Sequence, residues 1–242
     1  MINSQVDREL WYVDLGLIDY DQAHLFQRAA ARLRIRQALP QDLLILCEHP
    51  PVVTLGRSTK AGNLLVGREE LATQNVLLRD VERGGDVTVH EPGQTVGYPI
   101  IDLTRHKQDL HWYLRQVEEA LILTMGAIGL RASRISGQTG VWIDDRKLAS
   151  IGVHARDWVT SHGFALNAFN SLSTFQFVVP CGLPGVAMTS VVLECGRFGL
   201  QAPEPRALQQ LLIETLATVF KLSARIAPHE YVREIRAEML NA

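Results

Sequence analysis

One cysteine of the chain stands where a reactive thiol is expected. The sequence holds three cysteines, and Cys181 follows an apolar stretch and lies between a proline and a glycine, which predicts a thiol on a turn. Cys47 follows four apolar residues and is expected in the core, because a buried cysteine behaves as a small hydrophobe. Cys195 follows a predicted apolar strand and Glu194, whose charge disfavours a thiolate. Cys181 is therefore the candidate nucleophile.

A single lysine is the candidate base. Only four of the 24 Lys and Arg residues are lysines: Lys60, Lys107, Lys147 and Lys221. Lysine, unlike arginine, can lose its proton near neutral pH when it is buried. Lys147 begins a predicted strand whose next residues are apolar, although taken alone such a lysine is more often a solvated hairpin residue than a catalytic base.

Three short motifs predict the walls of a binding site. The stretch Arg83-Gly84-Gly85-Asp86-Val87-Thr88-Val89-His90 contains a glycine pair that permits positive φ and close approach of a ligand to main-chain N–H groups. Ser150-Ile151-Gly152 and Gly163-Phe164-Ala165 are small and apolar enough to form a narrow slot. The alternatives are a plain glycine turn and ordinary strand packing. His154 and His162 are interpreted as structural histidines, and no metal site is expected.

Hydrophobic periodicity predicts one α+β domain over residues 1–242. Strands are expected at 11–18, 43–47, 52–55, 76–81, 87–90, 95–101, 141–143, 148–154, 163–169 and 175–179. Helices are expected at 19–39, 68–74, 109–128 and 205–220, with a last one from about residue 228. Because several strands form hairpins, we expect a mixed, largely antiparallel sheet flanked by helices.

Composition and charge exclude several classes of function. The net charge of −2 gives no global field for nucleic acid, and the three widely spaced cysteines are not a disulfide framework. No stretch approaches the roughly 18 apolar residues of a membrane span. The first ten residues lack the apolar run of a signal peptide, so a cytoplasmic location is expected.

Taken together, the motifs resemble the lipoate-protein ligase B family, the protein N-octanoyltransferases. The resemblance covers nearly the whole chain. It rests on R83-G84-G85-x-x-T88-x-H90 with G93-Q94 and Y98, on K147-L148-A149-S150-I151-G152, on S161-H162-G163-F164-A165-L166-N167 and on P180-C181-G182. Two residues, Val89 and Glu91, depart from the family pattern, and they are expected to change one pocket wall.

The resemblance implies the fold of biotin- and lipoate-protein ligase catalytic domains and a Cys181–Lys147 pair. Cys181 would accept an octanoyl or lipoyl group from acyl-carrier protein and pass it to a lysine, the first step of endogenous protein lipoylation. The acceptors would be lipoyl domains of 2-oxoacid dehydrogenases and the glycine cleavage H protein. No cofactor is expected, and Gly182 is a candidate oxyanion donor.

Three other functions remain open from the sequence. An ATP-dependent lipoate- or biotin-protein ligase on the same fold would form an acyl adenylate and need no thiol. A thiol hydrolase is less favoured, because no Cys–His–Asn arrangement stands out. A non-catalytic module that docks carrier or lipoyl domains would not need Cys181 or Lys147.

Overall fold

The computed structural model describes residues 8–182 and 185–241. Its strands are β1 Glu9–Leu17, β2 Asp42–Glu48, β3 Val52–Leu55, β4 Leu77–Asp80, β5 Val87–His90, β6 Gln94–Ile100, β7 Ser133–Ile135, β8 Gln138–Ile143, β9 Arg146–Arg156, β10 Val159–Asn167, β11 Ala187–Met188 and β12 Ser223–Ile226. Its helices are α1 Tyr20–Ile35, α2 Arg68–Thr73, α3 Leu110–Ala127, α4 Val191–Arg197, α5 Pro205–Phe220 and α6 His229–Met239.

Nine of the described strands form one mixed sheet. Its order is β12-β1-β2-β6-β10-β9-β8-β7, and the short β11 pairs beside β9. The pairs from β2 to β7 are antiparallel, whereas β1 runs parallel to β2 and to β12. The predicted class, a largely antiparallel sheet flanked by helices, is confirmed.

Strand β2 shows how the sheet is covered on both faces. Leu44 and Leu46 belong to the core that includes α3 and α5, and Leu43 and Ile45 belong to the core under α1 and α6. Successive side chains of a strand point to opposite faces, so a strand packed on both sides is apolar at every position. All four of these leucine and isoleucine side chains are fully buried.

A second, three-stranded sheet carries the glycine motif. Its order is β4-β3-β5, with β3 parallel to β4 and antiparallel to β5. Its apolar side chains form a separate small core with Phe175 and Val178. Strand β5 ends at His90 and β6 begins at Gln94, so one tight connection joins the small sheet to the large one.

The predicted strand at residues 175–179 is wrong, since Ser173–Phe177 form a 3-10 turn. The carboxylate of Glu91 explains the difference. It accepts hydrogen bonds from the backbone N–H of Leu172 (2.6 Å) and from the hydroxyl of Thr174 (2.6 Å), which curls the segment. Phe175 is nevertheless buried, as its apolar character indicated.

The strand predicted before Cys195 is also wrong, because Cys195 lies within helix α4. The side chain of Ser190 caps this helix by accepting a hydrogen bond from the N–H of Leu193. Its buried residues are Glu194 and the apolar pair Val191 and Cys195, which lie four residues apart on one face. The structure also contains β7 and β12, which the sequence pattern did not indicate.

Candidate active site

The three motifs meet around one cavity of about 190 Å³. An apolar cavity of roughly 150 Å³ binds benzene, so this volume suits a chain a few carbons longer. The predicted residues that line it are Lys147, Arg83, Gly85, Asp86, Val87, Thr88, His90, Ser150, Ile151, Gly152, Gly163, Phe164 and Ala165. Six further residues that we did not predict as lining also face it: Tyr20, Tyr98, Gly137, Gln138, Thr139 and His162.

Two predicted residues, Gly84 and Val89, do not line this cavity. The N–H of Gly84 donates to the carbonyl of Val153 (2.9 Å), which ties the glycine turn to β9. The side chain of Val89 is fully buried in the core of the small sheet. Neither Val89 nor Glu91, the two departures from the family pattern, is among the residues that line the cavity.

The guanidinium of Arg83 organises the glycine turn. It is 7% exposed and donates to the carbonyls of Thr54 (2.8 Å) and Asp86 (2.7 Å). Gly85 adopts φ of +85°, a conformation that a residue with a Cβ rarely takes. The turn thus depends on both the arginine and the glycine.

His90 is held as a neutral ring at the edge of the cavity. Gln94 donates its amide N–H to Asn167 Oδ1 (3.0 Å), so its Oε1 accepts from His90 Nδ1 (2.8 Å). Burial, followed by the nearby ring of His49, holds the pKa of His90 well below its usual value. Because Nδ1 carries the proton, Nε2 retains its lone pair. The hydrogen bonds from His90 through Gln94 to Asn167 also connect the motif that ends at His90 to strand β10.

Lys147 is a buried lysine on the cavity wall and not a solvated hairpin residue. It is 1% exposed. Its ammonium donates to the carbonyl of Thr139 (3.1 Å) and lies 5.1 Å from the ring centroid of Trp142. Its own carbonyl accepts from the N–H of Thr189 (3.0 Å), where β11 pairs with β9.

A buried carboxylate supports the loop beside Lys147. Glu118 of α3 is fully buried and accepts a hydrogen bond from the backbone N–H of Gly140 (3.2 Å). It also pairs with Arg115 (2.6 Å) and Arg134 (2.9 Å). Nothing in the sequence around Glu118 suggested this contact, because it joins residues 22 positions apart.

The predicted nucleophile lies on a 3-10 turn formed by Pro180–Gly182. The side chain of Cys181 lies outside the described part of the structure. The turn adjoins the cavity: Asn63 accepts from the N–H of Val179 (2.8 Å) and donates to the carboxylate of Asp86 (2.7 Å), which lines it. The N–H of Gly182 donates to Val179 (3.0 Å), which argues against Gly182 as an oxyanion donor.

The other two thiols are unsuited to nucleophilic chemistry. Cys47 and Cys195 are 3% and 1% exposed. Burial raises the pKa of Cys47 well above its usual value. Burial and the neighbouring carboxylate of Glu194 raise the pKa of Cys195.

Comparison with known proteins identifies close relatives. A family model described as the lipoyl protein ligase A/B catalytic domain matches residues 19–218. A protein of Cytophaga hutchinsonii named "Octanoyltransferase" is 39% identical over 94% of this chain and 99% of its own length. One of Solibacter usitatus with the same name is 51% identical over 78% of this chain and 83% of its own length.

A solved structure shows the same fold at low sequence identity. A lipoate protein ligase from T. acidophilum with bound lipoic acid superposes with a TM-score of 0.75. The two chains are 15% identical, and the match covers 96% of this chain and 95% of the other.

None of the described helices combines the length and apolar character that crossing a bilayer requires.

Proposed function

Because the chain belongs to the lipoyl protein ligase A/B catalytic-domain family, we propose that it transfers an octanoyl group to a lysine of lipoyl domains. The names of its relatives support octanoyl transfer. The donor in this proposal is octanoyl acyl-carrier protein, and the acceptors are 2-oxoacid dehydrogenase lipoyl domains and the glycine cleavage H protein. The working unit is residues 1–242 as one catalytic domain, acting in the cytoplasm.

The observation that carries the proposal is the meeting of a buried lysine and three motifs around one small cavity. The apolar groups of Ile151, Phe164 and Ala165 supply a slot for the acyl chain, and Lys147 places an amine on the wall. The Pro180–Gly182 turn contacts β5, whose residues form part of the same wall. A nucleophile on that turn is thus close in the fold to the acyl site.

The first step exchanges one thioester for another. The Cys181 thiolate attacks the carbonyl carbon of the donor thioester, the donor C–S bond breaks, and the carrier thiolate leaves and takes a proton from the ammonium of Lys147, whose amine is then neutral. The bond formed equals the bond broken, so this step needs no ATP. A nearby ammonium favours the thiolate, and Lys147 is the candidate.

The second step forms an amide. The acceptor lysine attacks the acyl-enzyme carbonyl as a neutral amine, the Cys181 C–S bond breaks, and the amine proton passes to a base. Lys147 is the candidate base, and such proton transfer contributes about 10²–10⁴-fold in rate. Amide formation from a thioester is downhill, so the two steps need no activating nucleotide.

An ATP-dependent ligase is the alternative that the fold alone permits. The T. acidophilum structure has this fold at 15% identity, which shows a shared architecture. Such an enzyme would first convert the free acid and ATP to an acyl adenylate, with release of pyrophosphate, and would then transfer the acyl group. The octanoyltransferase relatives, at 39% and 51% identity, favour thioester chemistry instead.

The test is the intact mass of the protein after mixing with octanoyl acyl-carrier protein without ATP. We expect a gain of one octanoyl group in the wild type and in Cys195→Ala, and none in Cys181→Ala. Addition of a lipoyl domain should then discharge the adduct. A Cys181→Ala variant that still modifies the domain, or activity that requires ATP, would overturn the proposal.

A further inference from the structure

Three potential metal ligands converge at one side of the cavity, and one of them, His162, lines it. They are His24 on α1, Glu82 in the loop between β4 and β5, and His162 on β10. Their ligand atoms all lie within 4.8 Å of one another. None of the three has a role in the transfer steps above.

The ring of His162 has an unsatisfied nitrogen aimed at this cluster. The residue is 2% exposed, and its Nε2 has no hydrogen-bond partner among residues 8–182 and 185–241. A carboxylate oxygen of Glu82 is 3.8 Å away, which is too far for a hydrogen bond. Buried polar atoms are nearly always satisfied, so this nitrogen is available to a ligand.

The backbone fixes His162 in this orientation. Its φ of +56° is uncommon for a non-glycine residue, and such strain concentrates at functional sites. Its N–H donates to the side chain of Gln27 (2.9 Å). Gln27 lies one turn after His24 on α1, so the same helix face supplies one ligand and positions another.

The distances suit a small transition-metal ion. Ligands about 2.0–2.1 Å from a tetrahedral zinc ion lie about 3.4 Å apart. His24 Nε2 is 3.3 Å from one oxygen of Glu82, and His162 Nε2 is 3.8 Å from the other. Two imidazoles and one carboxylate favour zinc, cobalt, nickel or copper over magnesium and calcium.

We propose that His24, Glu82 and His162 bind a divalent transition-metal ion, with Zn²⁺ as the probe. This departs from the expectation from the sequence that the chain has no metal site. The three ligands come from two elements of secondary structure and a loop, so a bound ion ties α1 and the Glu82 loop to β10. The ion leaves a fourth position open for water, as three-ligand zinc sites do.

The test uses chelator-treated full-length protein titrated with Zn²⁺ by calorimetry and with Co²⁺ by visible absorption. We expect one ion per chain and a rise in Tm on binding. His24→Gln and Glu82→Gln should each weaken binding at least about 10-fold, and both side chains are partly exposed, so the variants should fold. His162→Asn should act similarly.

Two control variants separate this site from others. His111→Gln removes an exposed histidine of α3 and should bind Zn²⁺ like the wild type. Cys181→Ala should also keep its affinity. The proposal is overturned by the absence of one-to-one binding, by affinity that survives His24→Gln and Glu82→Gln, or by binding that disappears in Cys181→Ala.

Discussion

At the residue scale, the ammonium of Lys147 contacts the carbonyl of Thr139 and the indole ring of Trp142 and is shielded from solvent. Lys147→Met removes the amine while keeping the length of the side chain. We expect transfer to fall by about 100-fold or more, since a general base is lost. Stability should fall by about 1–3 kcal/mol at most, because the carbonyl of Thr139 loses a hydrogen-bond donor.

The measurement is single-turnover transfer to a lipoyl domain, with Tm recorded for the same samples. Lys107→Met is the matched control, because Lys107 is exposed on the surface, where it pairs with Asp109. If Lys147→Met retained transfer within tenfold of the wild type, Lys147 would not be the base.

The sequence predicted the part of the cavity wall formed by the motif from Arg83 to His90, but not all of the residues that line the cavity. Lys147 could be named from its type and its strand, whereas its burial depends on Trp142 and Thr139 of the preceding strand. Tyr20 could not be placed from sequence, because it reaches the cavity from the first turn of α1. His162 was interpreted as a structural histidine, since the nearness of His24 and Glu82 exists only in three dimensions.

At the scale of elements, α3 supports the hairpin beside Lys147 through Glu118. Glu118→Ala leaves the N–H of Gly140 without its acceptor and removes both arginine pairs. We expect a loss of about 2–3 kcal/mol in the free energy of unfolding. Because Thr139 would also shift, transfer should fall by up to about 100-fold.

Chemical denaturation and transfer rates check this prediction. The control is Glu119→Ala, one residue further along α3, whose carboxylate is 42% exposed and pairs with Arg134. A pair of this kind contributes no more than about 1 kcal/mol. Equal effects of the two substitutions would contradict the special role given to Glu118.

Strands β6 and β10 approach closely where Gly97 faces Phe164. A Cβ added at Gly97 would overlap the Phe164 ring, which also lines the cavity. We expect Gly97→Ala to destabilise the protein by about 1–3 kcal/mol. The displaced ring should slow transfer of an octanoyl group more than that of a hexanoyl group.

Paired assays with hexanoyl and octanoyl carrier protein measure this change. Gly126→Ala is the control, since Gly126 lies in α3 with open space around it. That substitution should stabilise the protein by about 0.5–1 kcal/mol. An unchanged preference between the two chain lengths in Gly97→Ala would contradict the assignment of Phe164 to the acyl slot.

Element types were predicted well where the periodicity was long or the turns were distinct. The strands Val52–Leu55 and Val87–His90 match their predicted bounds, and α5 starts at the proline expected in its first turn. The strand predicted at residues 175–179 was wrong because its β-branched and aromatic residues favour a strand. The hydrogen bonds that the Glu91 carboxylate accepts from the preceding residues could not be inferred from those residue types. Tertiary hydrogen bonds overrode local propensity there.

At the scale of the whole molecule, stability should fall in two stages as the pH is lowered. Burial holds the pKa of His49 and His90 below 6.5, so below that pH the unfolded chain binds protons that the folded chain does not. Burial is the largest single influence on Asp42 and Glu194 and tends to raise the pKa of each. Hydrogen bonds and nearby positive charges, chiefly from His106 and Arg34 for Asp42 and from Arg146 for Glu194, together outweigh burial and lower both pKa values. The ionised forms of these two carboxyl groups therefore stabilise the folded state, and this contribution begins to be lost below about pH 4.5.

Urea denaturation between pH 8 and pH 2 measures both stages. Each neutral buried histidine should cost up to about 1.4 kcal/mol per pH unit below its unfolded pKa. His90→Gln should flatten the first stage and leave the second unchanged. Constant stability from pH 8 to pH 5 would contradict the lowered pKa, because it would show that these rings bind protons equally in the folded and the unfolded chain.

The two ends of the nine-stranded sheet are short. β12 has four residues and β7 has three, and each carries an arginine, Arg225 and Arg134. A neighbouring chain that added itself as a further strand would gain few main-chain bonds. It would also have to pack against a charged side chain that is already ion-paired, Arg225 with Glu9 or Arg134 with Glu118 and Glu119. The molecule should therefore resist fibrillar self-association even when concentrated. If the charge at Arg225 contributes to this resistance, light scattering by a concentrated solution should increase when that charge is removed by substitution.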